Sequence, residues 1–338
     1  MELVKQWAAS LDDYVIDLAW SPAGDYLAVA SAAGPIVVFG GRDGSNRASF
    51  EGHEGGTNVL AWGTSGLVSG GQDGRIVWRD VAANQDTHAY AFDRAWVEHL
   101  AWRPQKSVSA ERPALLAAAA GRNLRLLRSD GSLHHTFPIA PKSISALAWA
   151  PSGRLLAVAY FGGVCLWDAD SLNAFKEFAY SNSIHKLAWS GDGKWLVSGN
   201  QDPSVHLWIP ESGFEFHMSG YEGKVQEVCF DHTGRWLATS GGSEGCVWDC
   251  QGNGPEGREP AMLPHEAKLC AVAFQNAHGL LATGSEDGMV RLWSPERSNP
   301  LRATIKLPSK VSRIAWSGDD TLLAVGAASG VTYVFGVK

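Results

Sequence analysis

A short apolar triplet ending in an aromatic recurs eight times along the 338 residues, and this repeat constrains the fold more than any other feature. The copies are Leu18-Ala19-Trp20, Leu60-Ala61-Trp62, Leu100-Ala101-Trp102, Leu147-Ala148-Trp149, Leu187-Ala188-Trp189, Val228-Cys229-Phe230, Val272-Ala273-Phe274 and Ile314-Ala315-Trp316. They are spaced by 42, 40, 47, 40, 41, 44 and 42 residues. A turn-former follows each, such as Ser21-Pro22-Ala23-Gly24, Ala150-Pro151-Ser152-Gly153 or Asp231-His232-Thr233-Gly234. Next come a run of small apolar residues and an alternating strand ending in an aromatic or Leu, for example Val164 to Trp167 and Val290 to Trp293. Period-two alternation punctuated by Gly and Pro excludes helices of useful length. The units therefore read as short antiparallel strands, and about 42 residues is the length of one four-stranded blade.

Charge and composition narrow the function. A formal net charge of -7 and a pI near 5.9 argue against a general nucleic-acid binder, which needs Lys and Arg in net excess. The N-terminal Met1-Glu2-Leu3-Val4-Lys5-Gln6-Trp7 lacks a signal-peptide pattern, and the most apolar stretch, Ala114 to Ala120, is far shorter than the roughly 20 residues that span a bilayer. The expectation is a soluble, cytoplasmic protein away from membranes. Its five cysteines (Cys165, Cys229, Cys246, Cys250 and Cys270) are odd in number and lack CxxC spacing, as expected of small core residues in a reducing compartment.

The repeats resemble the WD-repeat β-propeller family, and the resemblance covers essentially the whole chain. The Trp-Asp ending stands in Trp167-Asp168 and Trp248-Asp249, and the Gly-His opening in Gly52-His53. The best match begins at His265 and runs through Thr283-Gly284-Ser285-Glu286-Asp287 to Val290-Arg291-Leu292-Trp293. The third repeat diverges most, with an insertion around Gln105 to Pro113 and Leu127 where Trp is usual. The expected fold is all-β: one closed eight-bladed β-propeller of four-stranded antiparallel blades over residues 1–338. The last blade lacks an outer strand, which the segment 2–9 is expected to supply, as the family closes its ring.

Two sets of residues hold the ingredients of a hydroxyl, His and Asp triad: His265, Thr283, Asp287 with Trp293, and His53, Ser69, Asp73 with Trp78. Their duplication favours a structural network in which His, hydroxyl, Asp and indole satisfy one another. The second set is one residue shorter between Asp73 and Trp78, and repeat five keeps Ser198, Asp202 and Trp208 with Tyr180 in the His position. Gly241 to Gly245 fits GxSxG and Gly252 to Gly257 fits GxGxxG, but neither opens a helix, so both read as loops. Cys246 and Cys250 lie too far apart on an extended chain to chelate, and the histidines show no HxxxH or HExxH cluster. No catalytic residue, metal or cofactor is expected.

The repeat register also serves as a ruler. Four residues before each triplet aromatic lies the entrance of the innermost strand, which the resemblance implies lines the channel mouth on the top face. This position gives Ile16, Asn58, Glu98, Ser145, His185, Gln226, Cys270 and Ser312. Two residues earlier stand Tyr14, Gly56, Trp96, Ser143, Ser183, Lys224, Lys268 and Lys310, so three successive blades carry Lys. The expected function is a non-catalytic protein-interaction scaffold, a monomeric propeller that captures a protein or acidic peptide on this face with Trp96 and Tyr14 as anchors. The alternative is a small-molecule or metal-binding propeller, enzyme or not, that uses the central channel.

Overall fold

The computed structural model describes residues 1–32, 34–104 and 113–338. The eight triplets become the inner strands of eight four-stranded antiparallel sheets: Val15–Trp20, Thr57–Gly63, Val97–Trp102, Ile144–Trp149, Ile184–Trp189, Val228–Phe230, Leu269–Phe274 and Val311–Trp316. Blades 1 to 7 each use four consecutive strands. In blade 8 the outer strand is Leu3–Ser10, paired with Val331–Val337 from Leu3↔Val337 to Ser10↔Val331. Backbone bonds Glu2 N→Lys338 O (2.7 Å) and Lys338 N→Glu2 O (3.0 Å) extend that ladder to the end. No helix forms among the described residues, so none is long and apolar enough to cross a membrane. Blade 3 has all four strands, Val97–Trp102, Leu115–Ala120, Asn123–Arg128 and Leu133–Thr136, while residues 105–112 of its insertion lie outside the described ones.

The core is distributed between blades. Eight apolar clusters each join one blade to the next, including the junction of blade 8 with blade 1, where Trp7, Leu322 and Val334 meet Val15, Leu27 and Phe39. Second strands are covered on both faces, which explains their small residues: every residue of Leu115–Ala120 and Leu322–Ala327 is buried.

The triplet tryptophans do more than fill space. Trp20, Trp149, Trp189 and Trp316 each donate an indole N–H to the carbonyl of the triplet alanine in the preceding blade: Ala315 (3.1 Å), Ala101 (2.9 Å), Ala148 (3.1 Å) and Ala273 (3.0 Å). The motif therefore fastens its blade to the one before. Trp102 departs from this pattern. Blade 2 turns between its first two strands with only Thr64 and Ser65, and Trp102 leans over Gly63, where a Cβ would sit 2.7 Å from the ring. Its buried indole N–H is left without a partner.

Candidate functional site

The channel mouth is shaped by one repeated irregularity. In seven inner strands the register slips around the residue four before the triplet aromatic, leaving Ile16, Asn58, Glu98, Ser145, His185, Cys270 and Ser312 as bulged residues. A bulge leaves one residue unpaired and re-aims its side chain. In blade 6 the strand starts later, and Ser240 Oγ accepts the backbone N–H of Gln226 (3.2 Å) and Glu227 (3.0 Å) instead. Asn58, Glu98, Ser145, His185, Gln226, Cys270 and Ser312 all line one cavity of about 460 Å³. Blade 1 is the exception, because Asp17 faces the cavity and Ile16 packs against the core of blades 1 and 2.

Partners hold several of these side chains. Asn58 Nδ2 donates to Val97 O (3.2 Å), and His185 Nε2 lies 2.8 Å from Gln201 Oε1. The Cys270 thiol, pushed up to about 12 by burial, donates to Val311 O (3.0 Å) and is no nucleophile at neutral pH. Just below, a charged layer crosses the channel. Arg313 Nε lies 3.8 Å from Asp17 Oδ1, and Lys186 Nζ lies 3.6 Å from Glu227 Oε2. Asp17 also accepts backbone N–H from Leu18 (3.0 Å) and Leu60 (2.8 Å), which ties blade 1 to blade 2. Burial pushes the Asp17 carboxyl up, against the pull of Arg313 and those two bonds. His99, in the same layer, is pushed down to about 4 by burial and stays neutral.

The rim position two residues earlier is fixed by backbone bonds. Carbonyls of Tyr14, Gly56, Ser183, Lys268 and Lys310 accept N–H from Ala32, Gln72, Gln201, Glu286 and Ala328 in the turns beside them. Trp96 is 52% exposed there. The basic arc is partly compensated: Lys310 Nζ pairs with Glu286 Oε1 at 2.9 Å and Lys268 Nζ donates to Gln226 Oε1 at 3.2 Å. The Lys310 hydrogen bond lowers the Glu286 carboxyl and raises the Lys310 ammonium.

In blade 7, His265 Nε2 meets Thr283 Oγ1 at 2.8 Å, and Trp293 Nε1 donates to the same oxygen at 2.8 Å. His265 reaches Asp287 only through Ser285, with Nδ1 3.3 Å from Ser285 Oγ and that hydroxyl 2.6 Å from Asp287 Oδ1. In blade 2, His53 contacts Asp73 directly (2.9 Å) and Ser69 (2.9 Å). Trp78 is not part of that set. Leu67 pairs with Arg79 as Leu281 pairs with Trp293, so Arg79 is the counterpart of the blade 7 indole. Its Nε and Nη2 donate to Ser69 Oγ, both at 3.1 Å, while Trp78 faces blade 3 in the core with its N–H unpartnered. Tyr180 bonds Asp202 and Ser204 in blade 5, but Trp208 donates to Glu215 and the Ser198 hydroxyl has no partner. Sequence reasoning missed Tyr221, which receives the Trp248 indole and bonds Thr239, both at 3.1 Å. It lies nine residues before Phe230, the spacing of His53 and His265, and that offset could have found it.

Neither glycine motif builds a site. Ser243 is held by Glu222 through its N–H (3.0 Å) and hydroxyl (3.2 Å), with no imidazole base, and Gly254 packs on Trp195. Among the described residues no three His, Cys, Asp or Glu side chains are placed to hold a metal ion. The two literal Trp-Asp aspartates have turn roles. Asp168 holds Arg154 (2.7 Å) and accepts N–H from Asp170 and Ser171, and Asp249 holds Arg235 (2.9 Å) and accepts N–H from Gln251.

A family model described as WD domain, G-beta repeat matches residues 173–208, 213–249 and 259–294. The first match runs from the outer strand of blade 4 through three strands of blade 5, so each sequence repeat straddles two blades. Meiotic fizzy-related protein 1 of Schizosaccharomyces pombe is 26% identical over 177 residues, covering 52% of this chain and 41% of that protein. Cell division cycle 20.5, cofactor of APC complex, of Arabidopsis thaliana is 26% identical over 200 residues, covering 55% of this chain and 44% of that protein. The chain thus spans less than half the length of these two relatives. Among solved structures, the computationally designed Ika8 protein superposes with a TM-score of 0.81 at 19% identity, covering 99% of both chains.

Proposed function

This chain belongs to the WD-repeat β-propeller family, and from that premise we propose that it is a non-catalytic cytoplasmic scaffold whose top face captures an acidic peptide segment of a partner protein. The observation that carries this reading is the bulged ring. A rigid, repetitive frame presents a chemically different side chain from blade to blade at one height, which is how a scaffold encodes a partner without new backbone. Trp96 supplies an exposed aromatic anchor, and Lys224, Lys268 and Lys310 supply positive potential on a chain of net charge -7. The similarity to a relative whose name describes it as a cofactor of a complex fits a protein-binding role. Five free thiols fit a reducing compartment.

An array of synthetic peptides graded from acidic to basic tests the reading. Acidic members should bind, lose affinity as salt rises, and be lost by the combined Lys224→Glu, Lys268→Glu, Lys310→Glu variant at unchanged thermal stability. Unchanged binding and salt dependence in the triple variant would place the partner elsewhere.

A further inference from the structure

Blade 4 lacks the polar network that blades 2 and 7 carry, and strand register identifies each loss. Val158 pairs with Leu147 as Thr283 pairs with Val272, and Cys165 pairs with Val158 as Arg291 pairs with Thr283. Ala140 lies nine residues before Trp149 where His265 lies nine before Phe274, and Gly162 follows Val158 at the offset of Asp287 from Thr283. Only the indole is kept, since Trp167 pairs with Leu156 as Trp293 pairs with Leu281. An imidazole, a guanidinium and a carboxylate are thus replaced by small side chains. The space between blades 3 and 4 is a cleft of about 230 Å³ lined by Ala140, Val158, Cys165 and Trp167.

The cleft is apolar and carries one charge. Ile139, in its wall, is 66% exposed, more than any other large apolar side chain among the described residues. An exposed apolar surface beside a cleft marks a place that another molecule covers. Glu177 is the only charged residue lining the cleft, and it has no ion pair or side-chain hydrogen bond. It pairs across strands with Cys165, which puts it on the same side of the blade as Val158 and Tyr160. Burial, and then the Glu177 charge, push the Tyr160 phenol up, as expected of neighbours. The Trp167 N–H has no acceptor among the described residues and, unlike those of Trp78 and Trp102, keeps accessible surface. An apolar ligand would cover Glu177 without a counter-charge, and an anion would meet it at like charge. A long side chain with an apolar stem and a cationic head satisfies both the walls and the carboxylate.

We infer that the cleft between blades 3 and 4 is a docking site for an arginine or lysine side chain of a partner protein, its stem against Ile139 and Trp167 and its charged head on Glu177. Lys224, Lys268 and Lys310 precede blades 6 to 8, across the ring of eight from this cleft, so the inference does not depend on the acidic-peptide reading.

The probes are tripeptides Gly-X-Gly, acetylated and amidated, with X as Arg, Lys, Gln, Leu or Glu. They are titrated into the full chain and followed by NMR at the Trp167 indole N–H, a resonance identified by its loss in Trp167→Phe. The Arg or Lys peptide should shift it and saturate as one site, at least roughly tenfold tighter than the Gln, Leu and Glu peptides. Glu177→Gln should remove that preference at unchanged melting temperature, since Glu177 is exposed and its side chain bonds nothing. Ala140→Phe should fill the cleft and block the cationic probes. The Lys224, Lys268, Lys310 triple Glu variant should bind them as the parent does, which separates failure of this site from failure of the rim. The inference is overturned if no cationic peptide shifts Trp167, if the Leu peptide binds as tightly as the Arg and Lys peptides, or if the preference survives Glu177→Gln.

Discussion

Thr283 sits where an indole N–H, an imidazole nitrogen and the Arg291 carbonyl converge within 2.8, 2.8 and 3.4 Å of one hydroxyl oxygen. The shorter bonds close consistently if Trp293 donates to Thr283, Thr283 gives its one proton to His265 Nε2 and not to the longer Arg291 carbonyl contact, His265 Nδ1–H donates to Ser285, and Ser285 to Asp287. That order requires a neutral His265, and burial lowers it to about 4. Although burial opposes it, the Lys306 ammonium and the Ser285 hydroxyl hold Asp287 down at about 2, so the far end stays an acceptor. His265→Ala should cost about 1–3 kcal/mol in chemical denaturation by leaving Thr283 and Ser285 short of a partner. The sign of the pH effect follows from the lowered imidazole. Below about pH 6.5 the unfolded chain binds a proton that the folded chain refuses, so stability is full above that pH and falls as pH drops toward 4. The loss attributable to this residue is up to about 3 kcal/mol, and His265→Gln should flatten the curve between pH 6.5 and 4.5. A profile equally steep in that variant would assign the proton to another group, such as His99.

Strand by strand, the indole-to-alanine bond offers a paired experiment. Trp149→Phe removes a donor and orphans the Ala101 carbonyl, whereas Trp102→Phe removes a donor that has no acceptor. The first should destabilise by about 1 kcal/mol more than the second, measured by urea denaturation. Equal losses would mean that the rings matter only as volume. The triplets made the strand count, blade number and inner-strand register legible, because one blade consumes one period and the aromatic marks a fixed depth. The fate of Trp78 was not legible, because side chains alternate faces and a one-residue offset turns the expected network member into a core residue. Arg79 at the true register position signals nothing by type, since the motif has an indole there. Tyr221 was hidden for a similar reason, as a phenol does the work of an imidazole. The charged layer of Asp17, Lys186, Glu227 and Arg313 lay one residue beyond the ruler, at positions that Val59, Ala146 and Ala271 fill elsewhere.

For the molecule as a whole, the outer strand of blade 8 is the part whose removal should do most damage. Deleting residues 2–9 would strip the partner from Val331–Val337 and uncover the cluster around Trp7 between blades 8 and 1. The variant should aggregate or unfold at lower temperature, as read by light scattering and calorimetry, and a soluble variant of unchanged melting temperature would show the seam to be dispensable. That pairing also dictates a timetable. Leu3–Ser10 leaves the ribosome before all other strands and meets its partner after all of them. At the usual 5–20 residues per second, the wait is roughly 15 to 65 s, and bringing the two segments together costs on the order of 5 kcal/mol in chain entropy. Throughout that interval Val15–Trp20 has no blade behind it, so the nascent chain is an open arc exposing one apolar flank, and its survival until the ring closes depends on how quickly the earlier blades pack on one another.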